Sequence, residues 1–246
     1  MSMNENDDTM ESIRSAFVSF LGTDSIQCAC VDVSSLNSAL ISMSQFFHQN
    51  TLRFINFFRQ INEFDHLHSD DRFVLIKYNI FPLFVVSKCF YYKPINDCCS
   101  NGDNEEAVRH RRFFMLCGLS TDVRDTFVNL VLSLVHLTEQ DPAILSLLVA
   151  MLIFSRGLSM NEEEPLLKDP SMVHQAQSCY TKLLWQYLVN RRGELQAIQH
   201  FAQLLALILR MQSFAKLFRD FLRTRYATSD IADRMAPLMQ TALNIS

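Results

Sequence analysis

Residues 57–79 read FFRQINEFDHLHSDDRFVLIKYN and join two segments of different helical character. Upstream, Leu36, Leu40, Met43, Phe47, Phe54, Phe58 and Ile61 recur at steps of three, four or seven. That spacing draws one apolar stripe on a helix of about eight turns, opened by Ser34 or Ser35 as N-cap. Arg53, Arg59 and Gln60 lie off the stripe. Downstream, Ser69 with Asp70 and Asp71 opens a second helix, since a hydroxyl cap and carboxylates suit the positive end of the helix dipole. From Phe73 to Tyr92 that helix is apolar on nearly every side. It has no face to offer water, so it runs through the middle of the fold. Pro82 removes one backbone N–H within it and predicts a bend.

The same patterns extend outward. Asn101-Gly102 reads as a turn in the irregular stretch 93–106, and helical patterns resume over about 107–118 and 121–137. Asp141-Pro142 is a cap followed by proline at the first helical position. The helix it opens is solidly apolar to Phe154, with Gly157 as its stop, and is a second buried helix. Residues 158–170 form a loop, a helix follows over about 171–190, and Gly193 ends it. A long helix from Glu194 to about Arg225 turns Ile198, Phe201, Leu205, Ile208, Phe214, Phe218 and Phe221 inward. After Pro237, Leu238, Met239, Ala242 and Leu243 share one face of a short last helix. The polar stretch 1–9 reads as a disordered leader before a first helix over about 10–21. Two helices buried on all sides need helices above and below them. The expected fold is all-α: a three-layer antiparallel α-helical sandwich of about 10–12 helices, with 10–246 as a single domain.

Composition narrows the function. The 246 residues are 49% hydrophobic and 20% charged, with only 5 Gly and 6 Pro, which favours a large helical core over hairpins. A net charge of −4 gives no basic excess for nucleic acid. The longest unbroken apolar stretch, Leu147 to Phe154, is well short of the roughly 20 residues of a bilayer span. The N-terminus lacks a basic start followed by an apolar run, so the reading is cytosolic or nuclear. The 7 cysteines include Cys28 and Cys30, one residue apart, and the adjacent Cys98 and Cys99. Neither spacing suits tetrahedral zinc, and free thiols in a reducing compartment are the expectation.

The quoted stretch resembles the signature of nuclear receptor ligand-binding domains. That signature carries Phe-x-x-Leu-x-x-x-Asp-Gln-x-x-Leu-Leu-Lys across a helix junction. Here it reads Phe64, Leu67, Asp71, Arg72, Leu75, Ile76 and Lys77, with Arg72 in place of Gln and Ile76 in place of one Leu. LTEQDPAILSLLVAMLIF (137–154) is similar to the family's central eighth helix, and HFAQLLALILRMQSF (200–214) to its tenth. The segments come in the family's order and the resemblance covers about residues 10–246. It implies a three-layer helical sandwich, a nuclear location and a small apolar ligand. It also implies a groove for a coregulator helix, of the Leu-x-x-Leu-Leu or corepressor type. Homo- or heterodimers would form through the tenth and eleventh helices. The family's DNA-binding module needs two four-cysteine zinc sites. This chain has no such cluster, so no direct nucleic-acid contact is expected from it.

Register along the resemblance assigns two sites. The groove would use Arg59 for the peptide's C-terminal carbonyls, with Arg72 and Lys77 at its flank and Ile55, Phe73 and Ile76 as floor. The terminal helix would supply Leu238 and Met239, but Thr241 stands where the family places the Glu that holds the peptide's N–H groups. The ligand cavity would be lined by Met43, Phe46, Phe47 and Asn50; by Ile80, Phe81, Phe84, Lys88 and Tyr91; and by Phe218, Phe221 and Leu222. Several relatives place small residues where Phe46 and Phe47 stand. Six phenylalanines brought to one space imply a small or self-filled cavity.

The remaining constellations read as structural. His66 and His68 are two apart beside Asp65, Asp70 and Asp71, and residues so spaced diverge, so no metal is expected. Arg109, His110, Arg111 and Arg112 read as a solvated face, with an import signal as the sharper alternative. Glu162 to Glu164 reads as a soluble loop. No catalytic triad, phosphate loop or His-Glu-x-x-His occurs, so neither an enzyme nor a cofactor is expected. Two functions remain: a receptor-type ligand- and coregulator-binding domain in transcription, or a helical adaptor that keeps the fold for protein contacts alone.

Overall fold

The computed structural model describes residues 3–22, 31–94, 99, 104–119, 121–160, 164–228 and 231–243. Ten α-helices and no strand occur among them. They are α1 (Met3–Gly22), α2 (Leu36–Phe58), α3 (Asn62–Asp65), α4 (Ser69–Tyr91) and α5 (Glu105–Leu116). The rest are α6 (Thr121–Thr138), α7 (Pro142–Ile153), α8 (Pro170–Arg192), α9 (Glu194–Thr228) and α10 (Pro237–Leu243).

The three layers follow from burial. Every residue of α7 from Ala143 to Ile153 is buried, and α4 is buried from Tyr78 to Ser87. These helices pack on each other and form the middle layer. α1 packs on α7 and α2 on α4 from one side, while α6 and α9 pack on α4 from the other. α8 lies against α7 and α9. By length and composition α4 and α9 could each cross a bilayer, but the apolar part of α4 is enclosed by these neighbours.

Local chemistry sets the boundaries. The Ser35 side chain accepts from Ser38 N–H to cap α2, and Asp141 accepts from Ala143 N–H ahead of Pro142. Gly193, at φ 77°, ends α8 in a backbone region that other residues enter at a cost. Pro82 sits inside α4 without ending it.

Four expectations change. Helix α1 already begins at Met3, where a disordered leader over 1–9 was expected. Burial of Ile13 and Phe17 anchors the helix, and each further turn extends it cheaply once nucleated. The long helix before the signature stops at Phe58, and Asn62–Asp65 forms a separate turn of helix. The N-cap of α4 is His68, whose Nδ1 accepts from Asp70 N–H at 3.1 Å, so an imidazole does what Ser69 was expected to do. On α9, Ile198 and Leu205 face outward at 51% and 43% exposure, while Ala197, His200, Leu204 and Leu207 face the core. That helix is apolar on two sides, so periodicity did not distinguish its inner face. The Asn101-Gly102 turn, Cys28, Cys30, Cys98 and Glu162 lie outside the described residues.

Two polar side chains on α4 tie the layers together. The buried Asp71 carboxylate accepts from the backbone N–H groups of Lys168 and Asp169 at 2.7 and 2.9 Å. The fully buried Asn79 amide donates to the carbonyls of Ile153 and Ser155 at 2.9 and 2.8 Å, closing the C-terminus of α7. At the other end of α4, the Gln140 amide reaches the carbonyls of Cys89, Phe90 and Tyr92.

Candidate functional site

An apolar cavity of about 160 Å³ lies between α2, α4, α5, α6 and α9. The middle of α2 supplies Met43, Phe46, Phe47 and Asn50, which are spaced to share one helical face. Phe81, Phe84, Val85, Ser87, Lys88 and Tyr91 come from α4, and Lys93 from just beyond it. Glu106, His110, Phe113 and Phe114 come from α5, Phe127 from α6, and Phe214, Ala215 and Phe218 from α9.

Of the expected lining, Met43, Phe46, Phe47, Asn50, Phe81, Phe84, Lys88, Tyr91 and Phe218 meet at this cavity. Ile80, Phe221 and Leu222 do not. Ile80 and Phe81 are adjacent, so they point about 100° apart, and Ile80 is wholly buried on another side of α4. On α9 the cavity sits a turn earlier than expected, at Phe214 to Phe218. Phe221 lies beyond it, stacked on Phe218 at 6.4 Å and under the Arg225 guanidinium. Leu222 is buried in the core nearby. The α5 and α6 residues were missed because the signature carries no register into them. Their aromatic spacing, Phe113 and Phe114 with Phe127, was the available signal.

The cavity is small because rings occupy it. Phe47 is the hub: its ring lies 4.6 Å from Phe84, 5.6 Å from Phe46, 5.9 Å from Phe81 and 6.0 Å from Phe218. Phe214 and Phe218 stack at 5.8 Å, and His110 meets Phe114 edge-on at 4.9 Å. Ligand cavities for drug-sized molecules run to roughly 300–1,000 Å³, so this one holds far less.

Burial raises the Tyr91 phenol, and the Arg53 charge and hydrogen bond only partly oppose it. Burial pushes the Cys89 and Cys117 thiols up to about 12, so both stay protonated and are poor nucleophiles at neutral pH. No metal-binding cluster of His, Cys, Asp and Glu occurs among the described residues.

The expected groove residues lie around the junction of α2, α3 and α4. Arg59 is exposed at the C-cap of α2, and Ile55 is half-buried one turn before it. Phe73 is 50% exposed, Ile76 is half-buried beside it, and the Lys77 ammonium lies 5.9 Å from the centre of the Phe73 ring. Arg72 is held by the Asp65 carboxylate at 3.2 Å. α10 packs on α2, α4 and α9, burying Met239, Ala242 and Leu243 and half-burying Leu238. The Thr241 hydroxyl donates to the Pro237 carbonyl at 3.0 Å.

The profile of the ligand-binding domain of nuclear hormone receptors matches residues 38–224, most of the chain. The chain belongs to that family. The match spans α2 to most of α9 and includes every helix that lines the cavity. Comparison with individually characterised proteins gives no significant match. Membership makes this a receptor-type domain of a family that binds small ligands, coregulators and dimerisation partners.

Removing the hub ring tests the filled cavity. Phe47→Ala is expected to cost about 3–5 kcal/mol in denaturant unfolding and to enlarge the cavity, so that benzene raises the melting temperature more than it does for the unmodified chain. A cost below about 1 kcal/mol with no response to benzene would show that Phe47 does not plug the space.

Proposed function

We propose that this domain acts in a nuclear transcription regulator as a coregulator-binding module whose cavity is largely filled by its own side chains. The seating of α10 carries the reading. Met239, Ala242 and Leu243 are buried, and α10 packs on α2, α4 and α9 beside the expected groove. A filled cavity supports a domain that holds its binding surface without waiting for a ligand.

The groove would be floored by Phe73, Ile76 and Ile55, between Arg59 and Lys77 on one side and α10 on the other. Arg59 would hold the C-terminal carbonyls of a Leu-x-x-Leu-Leu helix, which carry partial negative charge. At the other end Thr241 offers no charge, and its hydroxyl already donates to Pro237. A charge-assisted bond there contributes on the order of 1–2 kcal/mol, so activation through this groove should be weak and corepressor or dimer-mediated roles gain weight. The filled cavity also favours the second reading, a helical adaptor that keeps the fold without binding ligand.

A dimer surface follows from α9. Leu195, Ile198, Ala202, Leu205 and Leu209 are exposed at alternating steps of three and four, a seam suited to a second helix. This supports homo- or heterodimer formation through that helix.

Two measurements test these claims. A fluorescent Leu-x-x-Leu-Leu peptide should bind weakly and without ligand stimulation, Thr241→Glu should tighten it about tenfold, and Arg59→Ala should abolish that gain. Tight, ligand-stimulated binding by the unmodified chain would refute the reading. In sedimentation, Leu205→Glu with Leu209→Glu should convert a dimer to a monomer of unchanged helicity. A dimer that survives both changes would place the interface elsewhere.

A further inference from the structure

The turn between α6 and α7 is strained and held from three sides. Glu139 and Gln140 both adopt positive φ, 53° and 54°, a region that residues with a Cβ enter at a cost. From the end of α8, Arg191 and Arg192 grip the Glu139 carboxylate at 2.9 and 2.5 Å. Arg191 and the Tyr187 hydroxyl both reach the Asp141 carboxylate. From the turn itself, the Gln140 amide donates to the carbonyls of Cys89, Phe90 and Tyr92 at the end of α4. From the start of α9, the His200 ring hydrogen-bonds the backbone of Leu137, two residues before Glu139. That bond favours the protonated ring, so the imidazole donates and the Leu137 carbonyl accepts.

His200 is only 6% exposed, and its Nε2 is buried with no hydrogen-bond partner among the described residues. The donating nitrogen is therefore Nδ1, and the neutral ring keeps its lone pair on Nε2. A second proton would have to enter there, on an atom with no acceptor for the new N–H. The charges acting on the ring are Arg192 and Arg191 from α8, which oppose that proton, and Glu139 from the turn, which favours it. Glu139 is already shared by both arginines, and Asp141 is engaged by Arg191 and Tyr187. Burial first, and then the Arg192 charge, hold the imidazole below the usual histidine value of about 6.5.

We propose that His200 is an acid-sensitive latch: when neutral it fastens the start of α9 to the α6–α7 turn, and when protonated it releases that turn. Protonation adds a third cation to a site where two arginines already share one carboxylate. The ion pairs that hold Glu139 and Gln140 at positive φ then weaken, the strained turn relaxes, and Gln140 gives up the end of α4. The unfolded chain takes the proton near pH 6.5 and the folded ring only at lower pH. The latch therefore contributes its full stability above about pH 6.5 and loses it as pH falls below that value.

Amide hydrogen exchange on the full chain reads the turn directly, through Asp141 N–H on the Thr138 carbonyl and Gln140 N–H on the Thr138 hydroxyl. Their protection, corrected for intrinsic rate, is expected to fall at least about tenfold from about pH 7.5 to about pH 5.5, while the amide of the fully buried Leu147 on α7 keeps its protection. His200→Asn can still donate to Leu137 but cannot take the proton, and should abolish the fall. Arg192→Gln removes the cation that acts most strongly on the ring, so the fall and the His200 ring titration seen by NMR should both move to higher pH. Protection that is unchanged over this range, a fall that persists in His200→Asn, or an Arg192→Gln midpoint that stays or moves lower would overturn the proposal. Should His200→Asn fail to fold, the direction of the Arg192→Gln shift decides alone. The turn meets the C-terminal end of α4 and the expected groove lies at its N-terminal end, so either outcome leaves the coregulator reading to its own test.

Discussion

From Tyr78 to Ser87 helix α4 has no side that tolerates water, and the rest of the architecture answers to that constraint. Burying an apolar side chain contributes roughly 1.5–3 kcal/mol, and from Tyr78 to Ser87 every residue of α4 is buried. One neighbouring layer can cover only one face, so α2 closes one side and α6 and α9 the other. α7 then extends the middle layer on the same principle. A helix so enclosed must pair most of its polar groups, and only the Asn79 Oδ1 among the described side-chain atoms of α4 is buried without a partner. Asp71 and Asn79 spend their hydrogen bonds on the 168–169 backbone and on the end of α7. The result is a rigid centre from which both candidate sites are hung.

The aromatic richness that seals the core also shapes function. The cavity lies where α2, α4, α5, α6 and α9 fail to meet completely, and Phe47 with its ring neighbours takes up most of that gap. α10 packs on α2, α4 and α9, with Met239 and Leu243 buried. Side chains therefore hold most of the volume between these helices.

Much of the fold was legible because its signals are local and redundant. Unbroken apolar runs marked α4 and α7, and Asp141-Pro142 and Gly193 marked helix ends by mechanisms that need no tertiary context. Register along a helix, once one residue is placed, carried Met43 to Phe47 and Phe81 to Phe84 to a common space. What failed depended on neighbours. Ile198 and Leu205 are as apolar as Leu204 and Leu207, and only the position of α6 and α8 decides which pair is covered. His68 caps α4 through an imidazole that no propensity scale favours. Phe113, Phe114 and Phe127 entered the cavity wall from helices whose rotation the signature does not fix.

The enclosure of α4 is the claim beneath all the others, and native-state hydrogen exchange addresses it residue by residue. Amides from Val74 to Val86 should exchange only through global unfolding, with protection tracking total stability as denaturant is added, while amides on the exposed side of α9 near Leu209 open at lower cost. If the α4 amides instead exchange through small local openings, with protection no greater than that of α10, the helix is not the enclosed centre of the fold and the account built on it is wrong.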